Sequence, residues 1–216
     1  NPLMASQTIL HVILKNLPVG WPERERLELI RKCNDRIEKI VDHLREFSRQ
    51  TKPEFQEIDV NQPVENALMI TGQQLLNHGI TLVRHLAGGL PKVMGDPNQL
   101  EQVFLNLISN ARDAIVENPG LKKELTIRSS FSEDGGPLSV VVSVKDSGVG
   151  IAPENLTKIF EPFFSTKPVG KGTGLGLSLC FGIVEAHGGR IDIKSKVGGG
   201  TEVFVILPAR ESGKEP

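Results

Sequence analysis

Pro53 divides the sequence into two rhythms, and that division limits what the chain can fold into. Before it, apolar residues return every seven positions. Leu3, Leu10 and Leu17 form one row with Ile13 and Leu14 on the same face, so residues 1–17 read as an amphipathic helix. Two prolines and a glycine in Leu17-Pro18-Val19-Gly20-Trp21-Pro22 end that pattern. A longer helical pattern runs from Glu23 to Gln50, with rows Leu27-Asn34-Val41, Ile30-Ile37-Leu44 and Cys33-Ile40-Phe47. Two helices joined by a short turn make an antiparallel hairpin. Its apolar face is wider than two helices can cover, which calls for a second copy of the chain and a four-helix bundle. Asn34, inside a core row, is either a polar register mark or a residue at the bundle edge.

After Pro53 the periods shorten. Strands are expected at 57–60 and 80–86 around a helix at 61–77. A strong helix at 97–117 has Asp96 as N-cap and Pro97 at its first position. Strands at 125–131 and 138–145 flank the turn Glu133-Asp134-Gly135-Gly136-Pro137. A loop rich in Gly, Pro and Phe covers 147–173, a helix follows at 174–187, and strands at 190–196 and 201–207 surround Gly198-Gly199-Gly200. The expected class is α+β: a helical hairpin over 1–52, a two-layer domain with a mostly antiparallel sheet over 53–210, and a tail at 211–216.

Composition removes several functions. Lys and Arg total 25 against 26 Asp and Glu, so no basic excess points to nucleic acid. No apolar run approaches the roughly 20 residues that span a bilayer, so no membrane contact is expected of this stretch. Cys33 and Cys180 both fall in helical patterns, which suits a reduced, cytoplasmic protein rather than a disulfide scaffold.

Three features carry chemistry. In the helix at 97–117, a polar stripe of Gln102, Asn106, Asn110 and Asp113 runs beside the apolar face. Asparagine disfavours helix interiors, and its amide oxygen is a hard, neutral ligand suited to Mg²⁺ that also leans on phosphates. A solvated helix face is the plainer reading. Next, Val140–Val144 delivers Asp146 into Asp146-Ser147-Gly148-Val149-Gly150-Ile151. A carboxylate there can accept from an exocyclic amino group such as that of adenine, with glycines admitting a flat base; an Asp-Ser-Gly turn is the plainer alternative. Finally, Lys171-Gly172-Thr173-Gly174-Leu175-Gly176-Leu177 runs into a helix, where exposed amides can cradle phosphate or simply form a surface loop. No Walker A motif and no G-x-G-x-x-G occurs.

In this order and spacing the features resemble the GHKL ATPase superfamily and, within it, the sensor histidine kinases of two-component systems. The N-box matches as Asn106-Leu107-Ile108-Ser109-Asn110-Ala111, the G1 box as Asp146-Ser147-Gly148-Val149-Gly150, the F-box as Phe160-Glu161-Pro162-Phe163-Phe164, and the G2 box as Gly172–Leu177, with Gly199-Gly200-Thr201 also typical. The resemblance implies a GHKL (Bergerat) sandwich binding ATP and Mg²⁺. It implies that Asn110 holds Mg²⁺, Asn106 supports the phosphate side, and Asp146 reads adenine with Thr201 behind it. Gly148, Gly150 and Ile151 would border the base; Gly172, Thr173, Gly174, Leu175, Gly176 and Leu177 would wrap the phosphates. Lys167 would reach the γ-phosphate, Phe160, Phe163 and Phe164 would pack the lid base, and Asp113 would lie at the nucleotide's edge. Hydrolytic members of the superfamily carry a glutamate where Asn106 stands. An amide cannot take water's proton, so the resemblance favours phosphoryl transfer to a protein histidine over hydrolysis.

The family places its acceptor histidine four residues before an Asn-Pro-Leu, and the chain opens with Asn1-Pro2-Leu3. The acceptor is therefore expected upstream of Asn1, this stretch is not expected to phosphorylate itself, and Asn1 matches the residue that positions water in dephosphorylation. Implied partners are a second copy, through the hairpin, and the receiver domain of a response regulator. The alternatives are a GHKL ATPase or serine kinase, and a scaffold that binds nucleotide without catalysis.

Overall fold

The computed structural model describes residues 2–18, 20–48, 53–118, 122–132, 138–167 and 172–210, with backbone only at 36, 39, 40 and 42–48. Two compact units result. One comprises Asn1–Thr51 with Glu161–Leu175, and the other Lys52–Phe160 with Gly176–Pro216.

In the smaller unit, α1 (Pro2–Asn16) and α2 (Arg24–Ser48) form the expected hairpin. Polar contacts join its two helices. Asn34 donates to Ser6 Oγ at 2.9 Å, Gln7 donates to Glu38 at 2.8 Å, and Arg24 caps the end of α1 by donating to the Leu14 and Leu17 carbonyls. Asn34 therefore bridges the two helices of one chain through a hydrogen bond open to solvent. Leu10 and Leu14 are buried, whereas Ile9, Val12, Ile13, Leu29, Ile30 and Ile37 are exposed. Cys33, expected in a core row, is exposed as well; the side chains of its companions Ile40 and Phe47, like that of Leu44, are not among those described.

The larger unit has two layers. Its main sheet has the order β2-β4-β5-β7-β6, from β2 (Thr81–Leu86), β4 (Glu124–Ser132), β5 (Ser139–Asp146), β6 (Arg190–Lys196) and β7 (Gly200–Pro208). The β2–β4 pair is parallel and the others antiparallel. A parallel pair needs a crossover, and α4 (Pro97–Val116) lies between β2 and β4 in the chain. Helices α3 (Asn61–Asn77), α4 and α6 (Gly176–Ala186) cover one face, and α5 (Pro153–Leu156) is a single turn. A separate ribbon pairs β1 (Gln56–Ile58) with β3 (Val93–Gly95), the latter a strand too short to announce itself by period. Strand alternation puts Leu125, Ile127, Val140, Val142, Val144, Val205 and Leu207 into the core against Leu100, Val103, Phe104, Leu107 and Ile108 of α4. The same parity turns Asp146 toward the helices. Among the described residues no helix is long and apolar enough to cross a membrane.

Candidate nucleotide site

Helix α4 starts where the sequence says it should. Asp96 caps it, Oδ1 accepting from Asn98 N at 2.9 Å and Gln99 N at 3.2 Å, with Pro97 first in the helix. The apolar face of α4 fixes its rotation, and this sets the amide stripe beside the start of α6. A Cβ built on Gly176 would stand 3.8 Å from Asn106 Oδ1 and from Asn110 Nδ2. Asn106 Nδ2 is buried with no hydrogen-bond partner among the described residues. Behind it lies the Cys180 thiol, which burial pushes up to about 12, with the Asn106 amide offsetting part of the rise. The thiol is a packing group here, not a nucleophile.

Asp146 ends β5 and is 7% exposed. Its Oδ1 accepts from Gly148 N at 2.8 Å and from Thr201 N at 3.2 Å, while Oδ2 takes no hydrogen bond among the described residues. Burial raises its carboxyl above the usual carboxylate range, and the two amides pull the other way. The turn after it is bound on both sides. Val149 N donates to Ala114 O of α4 at 3.2 Å, and Asn118 Nδ2 donates to Gly148 O at 3.1 Å. A Cβ at Gly148 would lie 2.5 Å from the Ala114 carbonyl carbon, so only glycine fits this approach. Gly198 N donates to Val149 O at 2.7 Å, and Ile151 N donates to Ser195 Oγ at 2.8 Å. Ser195 Oγ is also 2.8 Å from Thr201 Oγ1. Ser195 escaped the sequence reading. The signal was available, because a hairpin closed through Gly198-Gly199-Gly200 sets residue 195 opposite residue 201.

The larger unit thus gathers Asn106, Asn110, Asp146, Gly148, Gly150, Ile151, Gly176 and Thr201. Asp113 is there too, but its carboxylate is engaged by Arg112, at 3.0 Å from Nε and 2.6 Å from Nη2, and Arg112 also donates to Ser109 and to Gln74 of α3. Phe160 and Leu177 pack on the core, with Phe160 against Phe181 at 5.3 Å between centroids. The smaller unit carries Lys167, Gly172, Thr173, Gly174 and Leu175. There the F-box and G2 segments are pinned together: Phe163 N donates to Gly174 O at 2.9 Å, with φ of 70° at both residues. That conformation at Gly174 explains why α6 begins at Gly176 rather than at 174. Phe163 is exposed and does not pack as a core aromatic. Asn1 and Lys171 lie outside the described residues.

The donor set bears on Mg²⁺. Among the described residues no group of three or more His, Cys, Asp or Glu side chains could hold a metal. One neutral amide oxygen is too little for a bare ion, but it suits Mg²⁺ that arrives with phosphates and keeps its waters.

A family model described as "Histidine kinase-, DNA gyrase B-, and HSP90-like ATPase" matches residues 95–211, more than half of the chain, and the chain belongs to that family. The sensor histidine kinase ZraS of Escherichia coli (strain K12) is 34% identical over 216 residues, covering 100% of this chain and 44% of ZraS. Full-length ShkA in complex with AMPPNP shares the fold at TM-score 0.69 and 24% identity, covering 96% of this chain and 43% of ShkA. Histidine kinase ThkA in complex with the response regulator TrrA matches at TM-score 0.70 and 25% identity, covering 99% of this chain and 59% of that one. Within the ATPase family, then, this is a sensor histidine kinase catalytic domain with its helical hairpin. It spans less than half the length of the curated relatives it matches.

Proposed function

We propose that the chain is the cytoplasmic catalytic part of a sensor histidine kinase that binds Mg·ATP and transfers the γ-phosphoryl group to a protein histidine, for passage to a response regulator receiver domain. Residues 1–52 serve as the dimerising hairpin, 53–210 as the ATP-binding domain and 211–216 as a tail. The observation that carries this reading is the pairing, in one unit, of two neutral amides at Gly176 with the buried Asp146 carboxylate whose Oδ2 takes no hydrogen bond among the described residues.

Asp146 Oδ2 accepts from the adenine amino group, its Oδ1 being fixed by Gly148 N and Thr201 N. Ser195 holds the Thr201 hydroxyl and the Ile151 amide, shaping the base pocket. Asn110 supplies the oxygen that holds Mg²⁺, and the ion, when bound, neutralises phosphate charge. Asn106, buried at one end, supports the phosphate side; lacking a carboxylate, it takes no proton from water. Gly176 and Leu177, at the start of α6 beside the two amides, bear on the phosphates. AMPPNP in ShkA and TrrA in the ThkA complex support the nucleotide and the regulator respectively. The exposed apolar face of α1 and α2 supports pairing with a second copy.

Calorimetric titration tests the site. ATP is expected to bind with Mg²⁺ present and tenfold or more weakly in Asn110→Ala, while Mg²⁺ alone gives no heat. In the full-length protein, acid-labile phosphohistidine should form. Steady phosphate release without it would favour the ATPase alternative, and a folded protein that ignores ATP would leave only the scaffold.

A further inference from the structure

The residues that follow the hairpin enter the larger unit at a point the nucleotide reading leaves unused. Glu54 N donates to Asp96 Oδ2 at 3.1 Å, and the half-exposed Phe55 ring packs on the His187 imidazole with centroids 4.7 Å apart. His187 is buried at the C-terminal end of α6. Its Nδ1 lies 2.7 Å from Ile183 O, which assigns the proton to Nδ1 and leaves Nε2 to accept from Asp96 N at 3.0 Å. Asp96 in turn caps α4. Strand β1 adds the pairing of Gln56 with Gly95, and a Cβ at Gly95 would stand 2.7 Å from His187 Cδ2. One imidazole thus joins the incoming segment, the start of α4 and the end of α6. Asn106 and Asn110 lie on the first helix, and the second begins beside them at Gly176. Helices transmit a small rotation over their length, and Asn110 is roughly 20 Å along α4 at 1.5 Å per residue.

We propose that His187 is a positioning residue for phosphoryl transfer: with Asp96 and Phe55 it forms a joint through which the segment arriving at Glu54 sets α4 against α6, and so Asn110 against the phosphates. This rests on the nucleotide reading above. A histidine that only stapled helix ends would have no use for a half-exposed aromatic ring from the incoming segment.

The test compares Phe55→Ala, His187→Gln and His187→Leu in the full-length protein. Phe55→Ala removes a half-exposed ring and leaves the core intact, and glutamine can still accept from Asp96 N and donate to Ile183 O. For Phe55→Ala we expect phosphohistidine formation at saturating ATP to fall about tenfold or more while ATP affinity stays within about threefold, the signature of lost positioning. His187→Gln should recover most of what His187→Leu loses. Hydrogen exchange in the nucleotide-free protein should quicken together at the first turn of α4 and the last turn of α6 in Phe55→Ala. An unchanged transfer rate in Phe55→Ala, or rates that simply follow Tm across the three variants, would overturn the proposal. If ATP does not bind at all, the nucleotide reading fails, and the exchange measurement alone decides the joint: quickening at both helix ends supports it, and no change sinks it.

Discussion

Asp146 shows how much one side chain has to reconcile. It accepts from an amino group most strongly when ionised, yet it is buried, and burial raises its carboxyl. A group whose folded pKa lies above its unfolded value holds its proton more tightly in the folded state. The ionised form therefore costs stability above the folded pKa, and the cost disappears as pH falls below the unfolded value of 3.8. Asp146→Asn keeps an oxygen for Gly148 N and Thr201 N without the charge. Urea unfolding at neutral pH should find this variant at least as stable as the parent, with the gap closing as pH falls toward 4. ATP affinity should nonetheless drop tenfold or more, because the amide can present a donor to the adenine amino group. A variant that is less stable at pH 7 and binds ATP normally would contradict both statements.

Helix α4 is the element on which the site depends, and its ends were the most readable features of the sequence. Asp96 and Pro97 start it as expected because capping is a local transaction between a carboxylate and the first free amides. Asp96 has a second and a third role that no local rule predicts: Oδ2 receives Glu54, and its amide is received by His187. Asp96→Ala keeps the backbone amide for His187 but loses the acceptor for Glu54 as well as the cap, so it should cost more than the roughly 1 kcal/mol of an ordinary cap. Asp96→Asn, which keeps one acceptor oxygen for the cap and puts a donor where Oδ2 accepts from Glu54 N, should fall between. Thermal unfolding of the two variants measures this, and an Asp96→Asn as stable as the parent beside a loss of only about 1 kcal/mol in Asp96→Ala would show that the cap alone matters. Strand β3 was missed for the complementary reason: three residues have no period to read, and their partner β1 is distant in sequence. The two glycine-flanked strands around 198–200 were legible, but the Ser195–Thr201 hydroxyl pair became visible only once register was set.

At the scale of the molecule the two units differ in how they are held. The larger has a closed apolar core between its helices and sheet; the hairpin buries Leu10 and Leu14 and leaves a row of aliphatic side chains outside. If that row is covered by a second copy, the hairpin's stability depends on concentration, as it does for any element that folds with its partner. Circular dichroism should then show a helical transition that moves to lower temperature on dilution, while the transition of the larger unit stays put. Ile9→Asp with Ile30→Asp should abolish the first transition and spare the second, with sedimentation reporting a monomer.

The sequence by itself determined the hairpin, the α+β class, the cap and stripe of α4, and the residue types at each box, because these follow from period, capping and glycine chemistry over a few neighbouring positions. Tertiary structure decided the parallel placement of β2 beside β4, the exposure of Cys33, the engagement of Asp113 by Arg112, and the meeting of Phe55, Asp96 and His187. Each of these depends on chain segments that touch only after folding, and local sequence holds no record of a neighbour many residues away.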